Sequence, residues 1–196
     1  MYFRRLIFIF VGLIALILLF TIIFGGGKKP APVNPLKPLP DYSTTDATVS
    51  FTTDGLINGD DLHRQIRITI GPDSRTLDII QGYSGRVITT KEFYNTQDAY
   101  RVFLKAINNE AFLARNEKSK LPADSEGECP LGFRFIFSLD QEGGNLFNSW
   151  TSSCGPAIGN SKASLDAVSA LFQNQIPAYT TLTGDVDLSA TAPSGQ

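Results

Sequence analysis

Two apolar patterns divide the chain. The first is unbroken: residues 6–24 (LIFIFVGLIALILLFTIIF) carry no charge and one weakly polar side chain, Thr21. As a helix rising about 1.5 Å per residue the run spans roughly 29 Å, the thickness of a bilayer's hydrocarbon core. The second pattern starts near Thr48 and is periodic. Val49–Phe51, Arg64–Ile70, Arg75–Gln81 and Arg86–Thr90 read as strands, and Gly71-Pro72-Asp73-Ser74 and Gly82–Gly85 supply turn chemistry between them. Residues 96–113 shift to helical spacing, with Ala99, Val102, Phe103, Ala106, Ile107 and Ala111 on one stripe. Asn95 or Thr96 can cap that helix and Asp98 suits its dipole. The polar stretch Asn116–Glu128, broken by Pro122, reads as an exposed loop. In Phe133–Leu139 every odd position is large and apolar, the mark of a central strand with one face in a core. Asp140–Gly144 turns the chain, Asn145–Ser153 returns, and Ser161 caps a last helix carrying Leu165, Val168, Leu171 and Phe172 before Pro177.

The order β-β-β-β-α-β-β-α predicts an α+β protein: an N-terminal transmembrane helix, then an antiparallel sheet of about six strands with two helices packed on one face. The expected organisation is a cytoplasmic tail (1–5), a transmembrane signal-anchor (6–24), a Gly/Pro-rich spacer (25–47), an extracytoplasmic α+β domain (48–183) and a disordered tail (184–196).

A cleaved signal peptide is the alternative for the first 24 residues, since Arg4 and Arg5 precede the apolar run. The run is longer than an ordinary signal-peptide core and no A-x-A-like site follows it, which favours an uncleaved anchor. Arg4 and Arg5 nearly balance Lys28 and Lys29, so flanking charge does not set the orientation. A short N-terminal tail, a large C-terminal domain with two cysteines and a stiff spacer favour the C-terminal domain outside. Residues 28–40 (KKPAPVNPLKPLP) hold five prolines, favouring extended polyproline II and a semi-rigid stalk.

Charge narrows the partners. Residues 41–196 hold 12 of the 17 Lys+Arg and all 19 Asp+Glu, a formal charge of −7. An acidic domain lacks the clustered cations that neutralise phosphates, so nucleic acid is not an expected partner. The lipid bilayer is contacted through residues 6–24, and the remaining expected partner is an envelope protein or a wall component.

Cys129 and Cys154 bracket the last hairpin. A turn centred between Gln141 and Glu142 sets them opposite each other, with Phe133 against Trp150 and Phe137 against Leu146 on a common face. A disulfide is the expected state, and free buried thiols or a reactive Cys154 in its Cys-Gly-Pro context are the alternatives.

Candidate chemistry is sparse. His63 is the only histidine, so any His-based zinc site or nucleophile system must be built around it; its place in Asp60-Asp61-Leu62-His63-Arg64 suggests a solvated loop residue. The acidic loop Asp54–Asp61 resembles a calcium loop in outline, yet the third and twelfth positions of an EF-hand fall on Leu56 and Gln65. No metal or cofactor is therefore expected. Glu126 with Glu128, and Asp140 with Glu142, are carboxylate pairs of the kind glycoside hydrolysis uses, set in polar segments. Tyr83, between Gly82 and Gly85, is the best candidate for an exposed contact residue, with Asp60 and Asp61 as further binding candidates.

The layout resembles that of uncharacterised single-pass envelope proteins of bacteria, and the element order over residues 48–176 is similar to that of small extracytoplasmic peptidase inhibitors of the emfourin type. The likeness is one of topology and carries over no functional residue. The reading that results is a non-enzymatic, membrane-anchored interaction module of the cell envelope. The alternatives are a small envelope hydrolase using loop carboxylates and a peptidase inhibitor.

Overall fold

The fold was obtained as a computed structural model, which describes residues 36–116, 119, 121–122, 124–155 and 158–189. The expected anchor and residues 25–35 of the spacer lie outside the described residues, as do residues 190–196. Among the described residues no helix is long and apolar enough to cross a membrane.

Six strands form one antiparallel sheet: β1 (Thr48–Asp54), β2 (Arg64–Ile70), β3 (Ser74–Gln81), β4 (Arg86–Tyr94), β5 (Arg134–Gln141) and β6 (Gly144–Ser152). Their spatial order is β4-β3-β2-β1-β5-β6. The first four make a meander running outward from β1, and β5 returns to the other side of β1. That return leaves helix α1 (Gln97–Asn109) to carry the chain from the β4 edge back toward the middle. Helices α2 (Leu165–Gln173) and α3 (Tyr179–Thr183) follow β6.

The pleat explains the core. Val49 and Phe51, opposite Ile70 and Ile68 on one side and Leu139 and Phe137 on the other, point to one face. Tyr100, Phe103, Leu104 and Ile107 of α1 and Val168 and Phe172 of α2 are buried in the same cluster. Phe172 lies at the centre of an aromatic group, 5.0 Å from Phe103, 5.7 Å from Phe51 and 5.9 Å from Phe112 between ring centroids. The buried stripe of α1 is turned from the expected one, and Val102 is 68% exposed. Positions 100, 103, 104 and 107 are the i, i+3, i+4, i+7 set, and the larger Tyr100 and Leu104 win burial over the alanines. Thr96 caps the helix by accepting the Ala99 N–H at 3.2 Å. At its other end the Phe112 N–H bonds to the Ile107 carbonyl and the Ala111 N–H to the Asn108 carbonyl, a Schellman turn with Ala111 at φ 58°. This turn delivers Phe112 into the core.

The last hairpin differs from expectation. Its turn residues are Glu142 (φ 51°) and Gly143 (φ 72°), a left-handed two-residue turn matched to strand twist. A bulge at Leu139/Asp140 then shifts the ladder, so Phe137 faces Ser149 and Trp150 faces Ile136. Trp150 consequently lies on the sheet face away from the helices. There it is fully buried, its Nε1 donating to the Pro122 carbonyl at 3.1 Å and its backbone N–H to Asn160 Oδ1 at 2.9 Å. Part of the segment expected to be an exposed loop is thus the cover over a tryptophan. The disulfide nonetheless forms, Cys129 to Cys154, because Cys129 sits in a turn ahead of β5 and does not depend on the strand register.

The packed unit also extends past both expected boundaries. A 3-10 turn, Leu39–Tyr42, buries Leu39 and Tyr42. At the other end Val186 and Leu188 pack against the core, and the Leu56 N–H bonds to the Leu188 carbonyl at 3.0 Å.

Candidate functional site

Where β1 ends and β2 begins, the loop from Gly55 to His63 folds against the β3–β4 turn, and the sequence-derived candidates meet there. Asp60 Oδ1 accepts the Tyr83 backbone N–H at 2.8 Å. The Tyr83 hydroxyl donates to the Asn58 carbonyl at 3.0 Å and is within 3.1 Å of the Asn58 N–H. Gln81 Nε2 and Arg64 Nη1 both donate to the Asp61 carbonyl, at 2.7 and 2.6 Å. Asp60 and Asp61 therefore tie the loop to the turn, one through its carboxylate and one through its backbone. Tyr83 as a whole remains 53% exposed.

His63 is the support beneath the Tyr83 ring. It is fully buried rather than solvated, and it stacks under Tyr83 with centroids 4.2 Å apart and planes 14° from parallel. Its Nδ1 lies 3.0 Å from the Leu56 carbonyl, which only accepts, so Nδ1 carries a proton. Its Nε2 lies 2.9 Å from Asp54 Oδ1, an atom with no other hydrogen-bond partner among the described residues, and 3.4 Å from the Gln65 side-chain amide. The ring thus engages the Leu56 carbonyl on one side and the Asp54 carboxylate on the other.

Arg134 completes the cluster from β5. Its Nε and Nη2 each lie 2.7 Å from Asp54 Oδ2, Nη2 also donates to the Gly55 carbonyl at 2.5 Å, and Nη1 to the Glu128 carbonyl at 3.3 Å. Asp54 is thereby committed to a histidine and an arginine, and the calcium-loop outline loses its first ligand. Arg134 was not legible as a partner of Asp54, because an even position in an odd-apolar strand reads as solvent-facing. The signal available was that one charge ends β1 and the opposite charge begins β5.

The carboxylate pairs are placed differently. Asp140 accepts from Asn145 Nδ2 at 2.9 Å, and Glu142 is exposed at the hairpin tip, its backbone N–H donating to Asp46 Oδ2 at 3.1 Å. Glu126 is exposed, and Glu128 is engaged through its backbone carbonyl.

Two further surfaces flank the cluster. On the helix side, Leu62, Ile79, Ile88, Leu182 and Val186 line a groove of about 420 Å³, with Arg64, Asp185 and Asp187 among its polar walls. Hydrogen bonds from Ser189 hold the Asp187 carboxyl below its ordinary pKa. On the opposite face, Ser50, Thr52, Arg67, Thr69 and Asn148 are among the residues around a polar trough of about 320 Å³. β4 borders the groove and is exposed along its length except at Phe93. The sequence signalled this edge, since Arg86, Thr89, Thr90, Lys91 and Glu92 leave β4 no wholly apolar face.

No protein-family model matches the chain, and no curated protein matches its sequence.

Proposed function

We propose that this chain is a membrane-anchored, extracytoplasmic interaction module of the cell envelope, held in the bilayer by residues 6–24 and acting by binding rather than by chemistry. The observation that carries the reading is the Cys129–Cys154 disulfide, because such bonds persist in oxidising compartments and are rare in the cytosol. The apolar run ahead of the domain supplies the tether. The single histidine supports a binding role, since it is sealed beneath Tyr83 and spent on Asp54 and Leu56. Tyr83 contributes an aromatic contact residue on a rigid base, the arrangement that favours recognition.

The test uses the full-length chain in intact cells, with a photo-crosslinking residue at position 83. The expected result is membrane sedimentation, digestion of the domain by protease added outside, and a crosslink to an envelope component. A domain protected in intact cells and released with the cytosol would overturn the reading.

A further inference from the structure

The inference concerns what the module binds with, and it rests on the binding role just given. β4 closes one side of the sheet, and every residue but Phe93 is exposed along its nine-residue length. Its exposed apolar side chains include Val87 (47%), Ile88 (44%) and Tyr94 (77%). A strand in this position presents a row of backbone donors and acceptors that another extended segment can pair with.

Charge decides which segment. Lys91 lies opposite Leu77 and so points to the helix side of the sheet; Glu92 lies opposite Thr76 and points to the other. In antiparallel pairing, directly opposed side chains share a face. An added strand is therefore favoured when it sets an acid against Lys91 and a base against Glu92. A second copy of β4 meets this poorly. Self-pairing centred on Lys91 or on Glu92 opposes like charges. Centring on Thr90 sets Ile88, the residue left out of the ladder to β3, against Glu92.

The groove supplies the remaining preference. Ile79, Ile88 and Thr89 form part of its wall, with Leu182 and Val186 also lining it. The added residue opposite Thr89 points to this side, so a branched aliphatic side chain belongs there. We propose that β4 is a docking edge for an extended peptide that joins the sheet antiparallel, reading Arg-Glu from N to C opposite Glu92 and Lys91, with an aliphatic residue two positions later over the groove.

The probe is the blocked, fluorescently labelled hexapeptide Val-Thr-Arg-Glu-Thr-Val, titrated against the full-length chain in detergent and compared with Val-Thr-Glu-Arg-Thr-Val. Two cross-strand charge pairs turn from attractive to repulsive between them, so the first should bind about tenfold tighter. Lys91 and Glu92 are exposed, and the Lys91→Glu/Glu92→Arg double variant should reverse the preference. Slower amide exchange along β4 in the complex would support the site. Equal affinities, no binding of either peptide, or a preference unmoved by the double variant would each overturn it. If the peptides fail while the position-83 crosslink persists, the docking edge falls and the binding role stands.

Discussion

Arg134 reaches from the start of β5 to Asp54 at the end of β1, two of its nitrogens 2.7 Å from one carboxylate oxygen, and the pair is almost wholly removed from solvent. The two residues are direct neighbours in the ladder between their strands. Because His63 contacts the other oxygen of the same carboxylate and Arg134 Nη2 also donates to the Gly55 carbonyl, the pair joins β1, β5 and the loop that packs against Tyr83.

Breaking that pair should be costly on either side. Arg134→Met leaves a buried carboxylate short of a partner, and Asp54→Asn leaves a buried guanidinium; each should lose about 3–5 kcal/mol in denaturant unfolding. The double variant should lose less than the two singles added, since each single already forfeits the shared interaction. Strict additivity would argue against the pair acting as a unit.

The disulfide closes a loop between residues 25 apart in sequence. Chain-entropy arguments give such a closure about 3.5 kcal/mol, expressed as a lower unfolding midpoint for Cys129→Ser/Cys154→Ser or for the reduced protein. Gly132 should be intolerant in the same region. A Cβ there would stand 2.6 Å from Cys129 Sγ and 2.5 Å from Ser153 Oγ, so Gly132→Ala should also lower the midpoint.

Ala111 gives a change in the opposite direction. It holds the left-handed position of the Schellman turn after α1, where a Cβ is penalised, and its side chain is exposed. Ala111→Gly should raise stability by about 1 kcal/mol, read as a higher thermal midpoint.

Tyr100 ties stability to alkaline pH. Its hydroxyl donates to the Ala47 carbonyl at 2.7 Å, and burial raises its pKa far above the ordinary value of 10.0. A phenol kept neutral by the fold contributes stability that is intact below the unfolded pKa and lost as pH rises above it. Unfolding midpoints should therefore fall above pH 10 more steeply for the native chain than for Tyr100→Phe. The variant itself should lose about 1 kcal/mol at neutral pH from the missing hydrogen bond.

Period-two and helical spacing made the strands and the two main helices legible, because burial on one face imposes those periods. The β5–β6 register was less so. Matching Phe133 with Trp150 assumes that large aromatics share the single helix-covered face, whereas the segments around Pro122 and Asn160 make a second place to bury one. A bulge then moves the pairing, and nothing local in Leu139-Asp140 announces it. Tyr83 was legible as exposed from its glycine-flanked turn. His63 beneath it was not, since its burial depends on Asp54 and Tyr83 arriving from other elements.

The sheet order has a consequence for how the chain is made. β1 through β4 join by short connections and can pair as soon as they are synthesised, whereas the second side of β1 waits for a strand that begins 80 residues after Asp54. Until β5 arrives, β1, a central strand of the finished sheet, is itself an unpaired edge, and α1 forms in the interval. Protection from mispairing is therefore needed most on a nascent chain that has passed Tyr94 but not yet reached Arg134.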